Sequence, residues 1–214
     1  MVARNDRFVN LDNYDVKSLM KQLRNTKYLK TTVDSQTLEP SFIEIAFVGR
    51  SNAGKSSVIN AVCEQKGLAH TSKTPGKTRT INVFEIVSCR WLVDLPGYGF
   101  AARSGDERDS WQNMIEEYLT SRESLRMVYV IVDAYVGPTK LDKQMVMWLQ
   151  ASSISFRIVA NKADKLKIEA KKTRQEFVSQ ELGIALEQVF LVSAKSGHGI
   201  QELGADMCKQ LKLA

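Results

Sequence analysis

The sequence predicts an α/β fold: a mostly parallel six-stranded sheet with helices on both faces and one antiparallel edge strand. Three observations predict it. From residue 43 onward, short apolar runs rich in β-branched residues alternate with segments of helical periodicity. The first strand and helix of that series, Ile43 to Val48 and Ser57 to Val62, are separated by a glycine-rich loop. Two of the strands, Ile81–Val87 and Trp91–Asp94, are joined by a tight connection around Ser88 to Arg90, which places them side by side and antiparallel.

The 214 residues are 43% hydrophobic and 25% charged, values of one ordinary domain with a short appendage and enough apolar surface for a core. Cys63, Cys89 and Cys208 lie far apart and form no C-x-x-C pair, and neither His70 nor His198 is near them. We expect no disulfide framework and no transition-metal site, as in a reducing cytosol. No apolar run has the length of a membrane helix and the N-terminus lacks a secretory apolar stretch, so the expected location is cytoplasmic. The net charge of +6 suits contact with nucleic acid or another anionic surface and is equally common in plain enzymes.

Residues 1–40 form an N-terminal extension, with 41–214 as the main domain. Within the extension, Val16, Leu19, Met20 and Leu23 fall at helical spacing, with Lys17, Lys21 and Arg24 on another face and Asn13 or Asp15 as N-cap. Such a basic amphipathic helix is either packed on the domain with a solvated face or an RNA-contacting arm. Thr31 to Ser41, containing Pro40, reads as a linker.

The loop after the first strand is Gly49-Arg50-Ser51-Asn52-Ala53-Gly54-Lys55-Ser56, the phosphate-binding pattern G-x-x-x-x-G-K-[ST] in its required strand–loop–helix setting. Gly49 and Gly54 let successive N–H groups turn inward and the chain approach a phosphate closely. Lys55 adds a point charge near the β and γ phosphates, Ser56 a hydroxyl for Mg²⁺, and the helix its positive N-terminal end.

The stretch from Gln65 to Thr80 is long, polar and aperiodic, the mark of a functional or disordered loop. The strand Trp91–Asp94 then runs into Asp94-Leu95-Pro96-Gly97. An acid at the end of a neighbouring strand holds Mg²⁺ and its waters, and Gly97 can bring its N–H to a γ-phosphate, so the segment after it senses that phosphate.

A helix from about Arg108 to Glu123, a strand Met127–Asp133 and a helix from about Leu141 to Ala151, with Met145, Trp148 and Leu149 facing inward, lead to the strand Ser155–Ala160. It ends in Asn161-Lys162-Ala163-Asp164. A carboxylate at Asp164 accepts two parallel hydrogen bonds from the N1–H and exocyclic amine of guanine, a pair that adenine does not offer. Lys162 would lay its stem along the base and Asn161 would tie this loop to the phosphate loop. A basic helix, Lys165 to Glu181, follows. The last strand, Gln188–Val192, delivers Ser193-Ala194-Lys195, whose Ala194 N–H is placed to meet guanine O6, and a helix from about Ile200 to Leu211 closes the domain.

These elements stand in the order of P-loop GTP-binding domains. Beyond that order, the phrases G-R-S-N-A-G-K-S-S, T-P-G-K-T-R-T-I-N-V-F and D-L-P-G-Y-G-F-A resemble the EngB-type (YihA/YsxC) GTPases of the TrmE-Era-EngA-EngB-Septin-like superfamily, over about residues 41 to 214. The resemblance implies a GTPase that binds GTP and GDP and acts in assembly of the large ribosomal subunit, with a link to cell division and septation. Its implied partners are rRNA and ribosomal proteins of the subunit precursor, without membrane insertion and as a monomer. The alternative is a division-associated signalling GTPase acting through protein partners.

Carried over, Gly49 to Ser56, Gly76, Lys77, Thr78, Arg79, Thr80, Asp94 to Gly97, Asn161 to Asp164 and Val192, Ser193 and Ala194 bind nucleotide. Ser56 and Thr78 ligate Mg²⁺, Asp94 holds it through water, and Lys55, Thr78 and Gly97 serve the hydrolytic step. Where the family often reads Arg-His-Pro after its fourth strand, this chain has Ala134-Tyr135-Val136-Gly137-Pro138, so partner contacts do not transfer. Tyr98 stands where Ras-type enzymes place a water-orienting glutamine, which implies slow hydrolysis. Asn52 is either a K⁺ ligand, as in related GTPases, or a turn residue that satisfies its own backbone.

Overall fold

The computed structural model describes residues 16–70, 80–98 and 105–213, with backbone alone for 16–19 and 105–112. Asn13 and Asp15, the two candidate caps, lie outside them, as do Gly76, Lys77, Thr78 and Arg79.

The sheet has seven strands among the described residues, in the order β1-β3-β4-β2-β5-β6-β7. These are β1 (Lys27–Thr32), β2 (Ile43–Gly49), β3 (Ile81–Val87), β4 (Arg90–Asp94), β5 (Leu125–Asp133), β6 (Phe156–Asn161) and β7 (Val189–Leu191). The helices are α1 (Val16–Leu23), α2 (Lys55–Val62), α3 (Gly105–Ser121), α4 (Lys140–Ala151), α5 (Ile168–Leu182) and α6 (Ile200–Gln210). Six strands were expected, and the seventh is β1. Its sequence Lys-Tyr-Leu-Lys-Thr-Thr leaves most side chains exposed, so it carries no apolar alternation. It exists because its backbone pairs antiparallel with β3, from Lys27 opposite Glu85 to Thr32 opposite Ile81. The reversed strand is therefore β3, second from the edge, running against both β1 and β4. The edge itself belongs to β1.

Strand β2 is buried along its whole length and parallel to β4 on one side and β5 on the other. Its alternate residues feed two cores. Ile43, Ile45 and Phe47 face a cluster with Val58, Ile59 and Val62 of α2, Leu203 and Met207 of α6, and Met20 and Leu23 of α1. Ala46 and Val48 face a cluster with Ile115 and Tyr118 of α3, Val146 and Leu149 of α4, and Val178 and Leu182 of α5. Helices thus cover both faces. Met145 and Trp148 sit half-buried at the margin of the second cluster. Helix α1 packs on α6, where Gly204 leaves room for Met20: a Cβ there would lie 2.3 Å from the Met20 sulfur.

Glu44 interrupts the apolar run of β2. Its carboxylate is fully buried and accepts hydrogen bonds from Ser41 Oγ (2.6 Å), Ser124 Oγ (3.0 Å), Tyr118 Oη and the Arg122 guanidinium. Arg122 also donates to the carbonyls of Leu38 (3.2 Å) and Glu39 (2.9 Å) and lies over the Trp91 ring. One buried acid therefore joins β2, the end of α3 and the chain entering the sheet.

Candidate functional site

Registers within the sheet bring the carboxyl ends of its parallel strands to one edge. Asp94 at the end of β4 lies opposite Phe47 of β2, Gly49 opposite Ile131 of β5, Asp133 opposite Asn161 of β6, and Leu191 of β7 opposite Ala160. Since the chain leaves β2 toward β3 and β4 on one side and β5 to β7 on the other, the loop at Gly49 stands at the crevice where an open α/β sheet accepts a ligand.

That loop is folded by its own glycines. Gly54 caps α2 in the left-handed region (φ 95°), and Asn52 also has positive φ (69°). A Cβ on Gly54 would meet Asn161 Nδ2 at 2.3 Å, and one on Gly49 would meet the Ile131 carbonyl at 2.8 Å. Both glycines thus stand where a side chain would collide with a neighbouring strand or its end loop. Gly54→Ala is expected to abolish measurable nucleotide uptake in a titration and to lower the unfolding free energy by about 1–3 kcal/mol, read in urea.

Asp94 to Tyr98 runs along this loop. Leu95 N donates to Phe47 O (3.0 Å), Tyr98 N to Gly49 O (3.1 Å) and Ser51 N to Tyr98 O (3.2 Å). Gly97 lies so close that a Cβ would stand 3.0 Å from Gly49 O. Leu95 and Pro96 are buried beside it. Asp94, itself buried, forms an ion pair with the Lys55 ammonium. Ser56 follows at the start of α2 and is half-buried.

On the other side, Asn161 joins three loops. Its Nδ2 donates to Ala53 O (3.1 Å) and its Oδ1 accepts from Ala194 N (3.1 Å). The expected tie between the two loops is present. The other bond, to Asn161 Oδ1, engages the Ala194 N–H, which would reach a base carbonyl only as a shared donor. Ala163 N donates to Val192 O (3.0 Å). Asp164 is exposed and accepts from Ser193 Oγ (2.7 Å); that hydroxyl holds its carboxyl below the usual aspartate range, so it is an acceptor at neutral pH. Lys162 has a left-handed backbone, and its ammonium donates to Asn52 O (2.6 Å) and Asp133 Oδ2 (2.7 Å). Arg50 is half-buried and pairs as a β-bridge with Tyr98. Thr80, the one described residue of Gly76 to Thr80, precedes β3 and is half-buried.

Two acids join the site that the motifs did not single out. Asp133 ends β5 much as Asp94 ends β4, and its Oδ1 accepts from the amides of Tyr135 (2.9 Å) and Val136 (3.3 Å) while Oδ2 takes Lys162. Burial works against its charge, but Lys162 and the two amides prevail and hold the carboxyl below its usual range. Asp142 is buried at the start of α4, accepts from Thr139 N (2.8 Å) and Oγ1 (2.7 Å), and takes the Tyr98 phenol at 2.8 Å. Burial and this neighbour push the phenol well above the usual tyrosine range, which keeps it a donor. The cap was legible as Thr-x-x-Asp. Its bond to a residue 44 positions upstream was not.

Comparison with known proteins follows the same outline. Residues 44–162 match the family described as 50S ribosome-binding GTPase. A probable GTP-binding protein EngB of Desulforamulus reducens is 46% identical over 162 residues, covering 75% of this chain and 79% of its own. The protein of the same description from Photobacterium profundum is 39% identical over 203 residues, covering 89% and 87%. Among solved structures, that of a probable GTP-binding protein EngB superposes with a TM-score of 0.65 at 23% identity, covering 80% of this chain and all of that one. Aquifex aeolicus Era, bound to GDP and aluminium fluoride, superposes with a TM-score of 0.60 at 22% identity, covering 78% and 56%. At these identities the two structures show the fold alone.

Proposed function

We propose for this chain, which belongs to the EngB-type GTP-binding proteins of the 50S ribosome-binding GTPase family and is a GTPase, the part of a slow nucleotide switch in assembly of the large ribosomal subunit, linked to normal cell division. Residues 41–214 make up its nucleotide-binding domain, to whose sheet β1 of the preceding extension adds an edge strand and on whose α6 the extension's α1 packs. It acts as a monomer.

The observation that carries the site assignment is the double hydrogen bond of Asn161, which binds the base loop to the phosphate loop at Ala53 and to Ala194. GTP would lie across the strand ends, its triphosphate in Gly49–Ser56 and its guanine against Asp164 and the Val192–Ala194 turn. Lys55 exchanges its ion pair with Asp94 for phosphate oxygens, and Gly97 offers its N–H to the γ-phosphate. Mg²⁺ suits these donors, because an ion bound mainly by phosphates and water needs only the Ser56 hydroxyl, with Thr78 as a further ligand and Asp94 through water. When bound, it neutralises charge shared by the β and γ phosphates. Titration with labelled GTP and ATP in magnesium tests the assignment: GTP is taken up alone, and equal uptake of ATP overturns it.

Tyr98 donates its phenol to Asp142, so the side chain after Gly97 has neither a free donor nor the carboxamide that would orient a water. Intrinsic turnover at or below about 10⁻³ s⁻¹ is expected. The left-handed backbone at Asn52 suits a turn residue. If its amide also ligates K⁺, hydrolysis in KCl exceeds that in NaCl by about tenfold or more, the ion standing in for an arginine finger. Equal rates leave only the turn.

Support for the ribosomal role comes from the family's description and from the net charge of +6, which favours rRNA phosphates. Sedimentation with large-subunit particles, stronger with a non-hydrolysable GTP analogue and persisting at moderate salt, is the expected result. Association with neither subunit overturns it. Recovery of septal proteins after nuclease treatment, without ribosomal ones, selects the division-signalling alternative.

A further inference from the structure

Residues 134–139 join β5 to α4, and the carboxylates on either side of this connection, one ending β5 and one in the first turn of α4, are already tied to the nucleotide site. Asp133 accepts from Lys162, and Asp142 accepts from Tyr98. Between these two anchors the chain presents large side chains instead of burying them. Tyr135 is 58% exposed and Val136 61%. Gly137, at φ +92°, is seated against α5, where a Cβ would lie 3.1 Å from the ring of the exposed Phe177. Each exposed ring carries a cation: Lys165 Nζ lies 5.9 Å from the centre of Tyr135, and Arg174 Cζ 5.0 Å from that of Phe177. Lys140 is exposed at the start of α4. Glu181, one turn beyond Phe177, is paired with Lys143.

Two exposed rings, each with a cation over it, match an unpaired nucleotide chain, in which a base lies against the part of each ring left open and a phosphate meets each charge. A duplex keeps its base faces occupied.

We infer that the Tyr135–Val136 turn, with Lys140, Lys165, Arg174 and Phe177, is a docking surface for single-stranded RNA whose shape is set by the bound nucleotide through Lys162–Asp133 and Tyr98–Asp142. The choice of RNA rests on the ribosomal reading above.

The test is fluorescence anisotropy of the full chain with a labelled, unstructured RNA of about ten nucleotides, a length that spans both rings. Tyr135→Ala with Phe177→Ala should weaken RNA binding about tenfold or more while GTP affinity stays unchanged. Arg174→Gln should make the slope of log K against log salt shallower by about 0.7, the loss of one single-strand phosphate contact. RNA affinity should differ between GDP and a non-hydrolysable GTP analogue, and Tyr98→Phe should narrow that difference. Wild-type RNA affinity in the double variant, or equal loss for a duplex of the same length, overturns the surface. Equal affinity in both nucleotide states overturns the coupling. A double variant that keeps RNA binding but loses large-subunit particles assigns the surface to a protein and overturns the inference. Patch-dependent RNA binding in a wild-type chain that sediments with neither subunit supports the surface and overturns the ribosomal reading alone.

Discussion

Asp164→Asn should lower GTP affinity roughly 10³-fold and raise affinity for xanthosine triphosphate, because the change reverses one of two hydrogen bonds. An ionised carboxylate accepts from both N1–H and the 2-amino group of guanine. A carboxamide accepts once and donates once. Its donor would face the amino group, leaving two N–H groups opposed, whereas xanthine keeps N1–H and places a carbonyl where guanine has the amine. Ser193 prepares the acid to accept both bonds, since its hydroxyl donates to Oδ1 at 2.7 Å and favours the charged form. Asp164→Ala removes both acceptors, so the preference for GTP over ATP should collapse by about 10⁴-fold without a gain for xanthine. Competition titrations with GTP, ATP and xanthosine triphosphate read both outcomes. A GTP preference that survives Asp164→Ala would mean that another group reads the base.

Glu44→Ala should cost about 3–5 kcal/mol of unfolding free energy, because it strips a buried network of the carboxylate that Tyr118 and Arg122 share. Arg122 would keep its charge with two carbonyls in place of an acid, and the Tyr118 hydroxyl would lose its acceptor in a site where burial and Glu44 now hold the phenol well above its usual range. Replacing Glu44 with leucine and Arg122 with methionine together should cost much less than Glu44→Ala, since apolar groups of similar volume leave no orphaned charge. Urea denaturation measures both. The affinity of the folded fraction for GTP should stay the same, as Glu44 lies at the far end of β2 from Gly49. A drop in affinity at low denaturant would show that the network also shapes the loop.

Much of the site was legible because each motif is local and sits at a strand end. Gly49 to Ser56, Asp94 to Gly97 and Asn161 to Asp164 each announce a turn, and the parallel pairing of the buried strands β4, β2, β5 and β6 brings them together. The misses share a cause. Strand β1 has no buried face to betray it and is held by backbone pairing with residues about fifty positions away. Glu44 reads as an anomaly in an apolar run until Arg122 and Tyr118 are brought beside it by folding. Asp133 and Asp142 look like a strand end and a helix cap, and their bonds to Lys162 and Tyr98 appear only once four loops meet.

Met20 resting in the notch above Gly204 means that the earliest described helix closes on the latest. A contact spanning so much of the chain pays its loop-closure entropy late, so α1 should dock after the sheet has formed and be the first helix to lift off. A chain still emerging from its ribosome therefore carries α1 undocked until α6 is free, and amide exchange in the finished protein should find α1 opening before α6, which keeps its packing on α2.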